Sequence, residues 1–112
     1  MIRLTCLLRR KPGMSSADFH RYWRDVHGPL IASTKSGSYV LRYEQHHSVD
    51  AGTDGNGYDG VTIQWFKSAD DFFASLKEPD YAEIDADTRE FLDVDRLEFI
   101  LTDEPEVVFD RL

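Results

Sequence analysis

SSADFHRYWRDVHGPL, residues 15–30, is the stretch that decides the fold. Phe19, Tyr22, Trp23, Val26 and Leu30 recur at three- and four-residue spacings, the single apolar stripe of a helix lying on one surface. Ser15 is a good N-cap, and Asp18 three residues on completes an approximate capping box. Pro29 disfavours helical geometry at Gly28, so the helix is expected to pause or bend after His27. A helix with one apolar stripe needs a second layer to cover it, and strand patterns flank it on both sides.

Upstream, residues 2–8 alternate: Ile2, Leu4, Cys6 and Leu8 share one face, and Arg3, Thr5 and Leu7 the other. Pro12-Gly13 marks a turn before the helix. Downstream, Ser33–Ser38 reads as a polar loop. Residues 39–48 then form a strand with Tyr39, Leu41, Tyr43, Gln45 and His47 on the face turned to the helices. Residues 50–57 hold three glycines and two aspartates and read as a flexible loop, with a turn at Gly55-Asn56-Gly57. A third strand spans about Tyr58 to Phe66. Ser68 caps a short helix carrying Phe72, Phe73 and Leu76, which Pro79 ends; another runs from about Tyr81 to Leu92. The last strand covers 96–102, with Leu97, Phe99 and Leu101 on one face, followed by the apolar tail Val107-Val108-Phe109.

The order β-α-β-β-α-β is that of the α+β ferredoxin-like fold, an antiparallel sheet with helices on one face. The other face is expected to carry Arg3, Thr5, Leu7, Arg42, Glu44, Thr62, Gln64, Phe66 and Ile100, too apolar for water and too polar for a core. A second copy packing there would make a homodimeric barrel with isologous contacts.

Composition narrows the partners. At 112 residues, 41% apolar and 30% charged, the chain is expected to be a single domain, 1–112, with a real core. The longest apolar run is three residues, far below the ~20 that span a bilayer. Net charge is −8, and the charge is uneven: +2 from Met1 to Trp65 and −10 from Phe66 to Leu112. An acidic half repels nucleic acid and anionic lipid, so neither is expected as a partner. Arg9-Arg10-Lys11 reads as a solvated turn. With Cys6 alone and no signal-peptide pattern at Met1-Ile2-Arg3-Leu4, the expectation is a reduced, cytoplasmic protein.

No phosphate loop, nucleophile elbow or paired-histidine zinc pattern is present. His46 and His47 are adjacent on a strand, so their rings point to opposite faces and do not chelate one metal. No metal or organic cofactor is expected. His27 follows His20 by seven residues and Trp23 by four, so the three line one edge of the helix. Two readings stand for it: a histidine capping a helix C-terminus, or a proton-transfer group at the edge of a cleft. Tyr43, Gln45 and His47 put three polar side chains on the face meant for the helices, which suggests either a cavity or a satisfied polar network. An antiparallel helix would bring His27 closer to Tyr39–Tyr43 than to His47.

The segments Arg10-Lys11-Pro12-Gly13-Met14-Ser15, Phe19-His20-Arg21-Tyr22-Trp23 and His27-Gly28-Pro29-Leu30 together resemble the opening of EthD-like proteins. Arg42-Tyr43-Glu44-Gln45-His46-His47, Tyr58-Asp59-Gly60-Val61 and Trp65-Phe66 extend the resemblance along nearly the whole chain. It implies a dimeric α+β barrel. It also implies chemistry of the kind seen in lactone isomerases and polyketide cyclases or dehydratases, often without a cofactor. By this resemblance His27 matches the family's helix-end histidine and His47 its strand histidine. Two positions depart from the pattern. Ile63, with Gln64 beside it, stands where many relatives carry an acidic residue. Glu104-Pro105-Glu106 replaces a Glu-His pair near the end.

The expected function is a cofactor-independent acid–base lyase, isomerase or cyclase acting on a small carbonyl compound, lactone or aromatic polyketide. His27 would move the proton, with His47 as a second candidate, and Tyr43 would donate to the oxyanion. Trp23, Tyr39, Gln45 and Trp65 would bind the substrate. The rival is a small-molecule binding or accessory protein on the same fold. A cofactor-free monooxygenase ranks third.

Overall fold

A computed structural model describes residues 1–49 and 57–112. The expected glycine-rich loop and its turn, apart from Gly57, lie outside the described residues. The chain runs β1 (Ile2–Leu8), α1 (Ser16–Tyr22), a π-helical turn (Trp23–His27), α2 (Gly28–Ser33), β2 (Arg42–His47), β3 (Gly60–Phe66), α3 (Ala69–Leu76), α4 (Tyr81–Phe91) and β4 (Glu98–Thr102). The four strands form one antiparallel sheet in the order β2-β3-β1-β4. This is the ferredoxin-like arrangement expected. No helix among the described residues is long and apolar enough to cross a membrane.

Both expected caps form. Ser15 Oγ accepts from the Asp18 N–H, and Ser68 Oγ from the Asp71 N–H. The helix does not stop at His27, however. Gly28 keeps right-handed helical angles, and Pro29 sits in the first turn of α2, where its missing N–H costs nothing. The π turn replaces the expected break and re-phases the buried stripe to Phe19, Trp23, His27 and Ile31, each four residues from the last. In an α-helix such a column drifts about 40° per step. The widened turn absorbs the drift, leaving Val26 exposed and His27 inside.

Residues 36–39 form a 3-10 turn, so β2 begins at Arg42 and Tyr39 is not on the strand. The phase of β3 also differs from expectation. Arg3 pairs with Trp65, Thr5 with Ile63 and Leu7 with Val61, so those residues share the outer face. Gly60, Thr62, Gln64 and Phe66 face the helices, and Phe66 is buried in the core. Gly60 accounts for the phase. A Cβ there would lie 2.6 Å from Cζ3 of Trp23, so the bare glycine must be the residue beneath the indole. A shift of one residue exchanges the two faces completely.

The core has two clusters. One joins Leu8, Phe19, Trp23, Phe91 and Leu92; the other joins Leu4, Phe66 and Phe72. Arg9 and Arg10 are not solvated as expected. Arg10 donates to buried Asp59 from its backbone and its guanidinium, both at 2.9 Å, and Arg9 pairs with Glu98 over the Tyr58 ring. The outer sheet face is left open, with Ile100 59% exposed, and the tail residues Val107, Val108 and Phe109 are exposed as well.

Candidate functional site

Between the two core clusters, under the helices, lies a cavity of about 370 Å³. That is the size of a small-ligand pocket. Its walls are mostly apolar, with Trp23, Phe66, Phe72 and Phe91 among the aromatic surfaces; its polar points include His27, Tyr43, Thr62 and Gln64, and Asp85 and Arg89 of α4 also line it. Cys6 also lines it, but burial pushes the thiol pKa up to about 11, so it remains a neutral thiol.

The π turn places His27 against Phe91, ring centroids 4.7 Å apart, with 6% of the residue exposed. Of the two readings, the helix-end cap falls, because the helix continues through Gly28, and His27 lines the cavity instead. Its Nδ1 lies 2.8 Å from Oδ2 of Asp87 on α4, while Asp87 Oδ1 accepts from the Tyr22 hydroxyl at 2.5 Å. A carboxylate accepts, so His27 carries its proton on Nδ1 and leaves Nε2 bare. Nε2 has no hydrogen-bond partner among the described residues. Burial lowers the His27 pKa, and the Asp87 bond and charge partly offset that. The ring is therefore neutral at pH 7, a base held in one orientation. Next to the same carboxylate, burial and Asp87 raise the Tyr22 hydroxyl to about 12.

Tyr43, on β2, lines the cavity. Its hydroxyl oxygen accepts from Trp23 Nε1 and from Gln45 Nε2, each at 3.1 Å. Two acceptances fill a hydroxyl's lone pairs, so the proton is left to donate, with the Thr62 side chain and the cavity both beside it. Burial raises this pKa too, with the bonds from Gln45, Trp23 and Thr62 opposing it, and the hydroxyl keeps its proton. Gln45 also donates to the Trp23 carbonyl at 2.8 Å, the carbonyl that accepts the Gly28 N–H across the π turn. Glycine at 28 makes room for this: a Cβ would come within 3.1 Å of Gln45 Nε2.

Of the residues singled out from sequence, the structure brings His27, Tyr43 and Trp23 to the cavity wall. Gln45 lies one layer behind. His47 faces the helices, as expected, but lies behind the cavity, its ring centroid 4.3 Å from that of Trp23 and tilted 43° to it, bonded to His20 and Gln45. Tyr39 turns away to donate to Glu78. Trp65 does not wall the cavity; it lies on the outer face between the guanidinium groups of Arg3 and Arg42. Two features of the site were missed. Gln64, directly opposite Tyr43 in the sheet, carries an amide with no hydrogen-bond partner among the described residues. Asp87, which holds His27 without itself lining the cavity, lies four residues before Phe91 on the same helix face, but nothing local in the sequence marks it as a partner of His27. No three His, Cys, Asp or Glu side chains among the described residues come together as a metal site.

A comparison with curated proteins finds no match. Solved structures with the same fold include an EthD family protein from Bacillus halodurans C-125, with 12% identity over 94% of this chain and 99% of that one and a TM-score of 0.71. SnoaB, a cofactor-independent oxygenase from Streptomyces nogalater, has 13% identity over 97% of each chain and a TM-score of 0.67. A dimeric ferredoxin-like protein of unknown function from Thermobifida fusca YX has 18% identity over 90% of this chain and 88% of that one, with a TM-score of 0.65. At these identities the likeness is one of fold. The EthD domain model matches residues 11–95, which take in the π turn, His27, Tyr43 and Asp87. This chain belongs to the EthD family.

Proposed function

We propose that the protein is a cofactor-independent acid–base catalyst, an isomerase, dehydratase or cyclase, acting on a small carbonyl compound such as a lactone or an aromatic polyketide. One observation carries the reading: a histidine held at Nδ1 by a carboxylate and a tyrosine whose oxygen already accepts twice line the same cavity. His27 Nε2 removes a proton from the carbon beside the ligand carbonyl, and Asp87 steadies the imidazolium that forms. The C–H electron pair moves into the enolate, and its oxygen accepts the Tyr43 hydrogen bond. His27 then returns the proton to another carbon in an isomerisation, or to a departing hydroxyl in a dehydration. Trp23, Phe66 and Phe91 exclude water, which strengthens both interactions. In this reading the protein works as a homodimer, closed through the outer sheet face where Leu7, Ile63, Trp65 and Ile100 meet Arg3, Arg42 and Glu44. The dimeric T. fusca protein of the same fold supports that assembly.

The test is a panel of lactones, 1,3-diketones and phenolic polyketide-type compounds, followed by NMR and by oxygen uptake. With a substrate in hand, His27→Asn retains a donor to Asp87 but removes the base, and should lower turnover about a hundredfold or more. Tyr43→Phe should lower the rate with little change in binding. If ligands bind the cavity and both variants bind them equally well, while the unmodified protein turns none over, the protein is a binding module. Oxygen uptake coupled to substrate loss would instead make it a cofactor-free oxygenase.

A further inference from the structure

Behind the cavity, His20 on α1 and His47 at the end of β2 meet Nδ1 to Nδ1 at 2.6 Å. Their ring centroids are 4.8 Å apart, and neither ring lines the cavity. A bond between two ring nitrogens needs one protonated and one bare nitrogen. Which is which is settled farther along the chain of contacts. The Trp23 carbonyl cannot donate, so the Gln45 atom 2.8 Å from it is the amide nitrogen, which also donates to Tyr43. Gln45 Oε1 is then left facing His47 Nε2 at 3.0 Å and can only accept. His47 must therefore be protonated on Nε2. As a neutral ring it is bare on Nδ1, and His20 donates to it from its own Nδ1. His20 Nε2 ends the chain as a bare nitrogen, buried and unpartnered.

We infer that His20 and His47 are positioning residues for the cavity tyrosine: together with the Trp23 carbonyl, which sets the orientation of the Gln45 amide, their tautomers hold that amide where it fills Tyr43's oxygen and leaves its O–H as a donor. The inference rests on the proposed role of Tyr43 as the donor to the ligand. It assigns His47 no direct proton transfer, since both its nitrogens are engaged, and it specifies an acceptor oxygen, carbonyl or enolate, as the ligand group met at Tyr43. Burial lowers the pKa of both rings, in keeping with a neutral pair, and Arg24 acts on both in the same direction. Arg10 adds to this at His20, while Asp59 opposes it there.

The experiment is imidazole nitrogen NMR on the full-length protein labelled with 15N, and with 13C at the tyrosine Cζ. At neutral pH, His47 should appear as the Nε2–H tautomer and His20 as the Nδ1–H tautomer. His20→Phe removes the donor without touching Tyr43; it should scramble the His47 tautomer and shift the Tyr43 Cζ signal. His20→Asn places an amide N–H near the lost Nδ1–H and should restore both. The inference is overturned by the opposite or averaged tautomers in the unmodified protein, a reading that does not depend on any variant folding. It is also overturned if folded His20→Phe leaves His47 and Tyr43 unchanged. If the tautomers and shifts are as expected but Tyr43→Phe alters neither ligand binding nor turnover, the positioning chain stands and the proposed role of Tyr43 fails.

Discussion

Replacing Asp87 by Asn tests the keystone of the site without emptying it. The carboxylate accepts from Tyr22 at 2.5 Å and from His27 Nδ1 at 2.8 Å, and its side chain is only 13% exposed. Asparagine has one carbonyl oxygen for these two donors, so one bond is lost or reversed. A hydrogen bond to a charged group contributes about 1.5–3 kcal/mol, and that is the expected loss of stability. With a urea m-value of about 1.5 kcal/mol/M, the unfolding midpoint should fall by roughly 1–2 M. A second readout fixes the sign of the electrostatics. Asp87 raises the His27 pKa against the lowering by burial, so in Asp87→Asn the histidine should titrate lower still. Urea unfolding gives the first quantity and imidazole NMR titration the second. An unchanged midpoint together with an unchanged or raised His27 pKa would refute the dyad.

His20, His27 and His47 all have pKa values lowered from 6.5, chiefly by burial. The unfolded chain binds these protons more tightly, so stability is full above about pH 6.5 and declines as pH falls, by at most about 1.4 kcal/mol per pH unit for each histidine. Urea midpoints at pH 7.5 and 5.5 check this, and equal midpoints would contradict it. Gly60→Ala should displace Trp23, because the new Cβ meets the indole at 2.6 Å and the His46 carbonyl at 2.7 Å; a strong loss of thermal stability is expected, and an unchanged melting temperature would show that the ring has room to move. Light scattering at micromolar concentration should give twice 12.9 kDa, and Ile63→Lys on the outer face should give a folded monomer; a monomeric unmodified protein would sink the barrel dimer. His27→Ala should destabilise by about 2 kcal/mol or more, well above the cost of a lost surface charge, because it empties a core position and strands Asp87; a loss under 1 kcal/mol would place His27 outside the core.

The element order was legible because two of the helices carry serine caps and the strands read as alternating faces. Ser15 and Ser68 mark helix starts whatever the tertiary setting. Phase was harder to read. On β3, Val61, Ile63 and Trp65 form the more apolar alternate set, and the ordinary rule turns such a set inward. Here the packing of Trp23 onto Gly60 overrides it, and the more polar set, Thr62 and Gln64, faces the cavity. The helix shows the same limit. A 3.6-residue period selects Val26, whereas the π turn selects His27, and no single residue in 23–27 announces i+5 bonding. His27 and Tyr43 were visible as polar residues at the edges of apolar patterns. Asp87 was not singled out, since one carboxylate among fifteen acidic residues after Phe66 carries no local mark of its long-range partner.

The most direct measurement of the central claim is solvent deuterium exchange at carbon. A β,γ-unsaturated γ-lactone and a 1,3-diketone are each incubated in D2O with the unmodified protein and with His27→Asn, and label at the carbon beside the carbonyl is followed by NMR. The unmodified protein should exchange at least one of them well above the buffer rate, with the variant about a hundredfold slower despite an intact fold. Exchange at the buffer rate by a protein that demonstrably holds the compound in its cavity, or equal exchange by His27→Asn, would contradict the account.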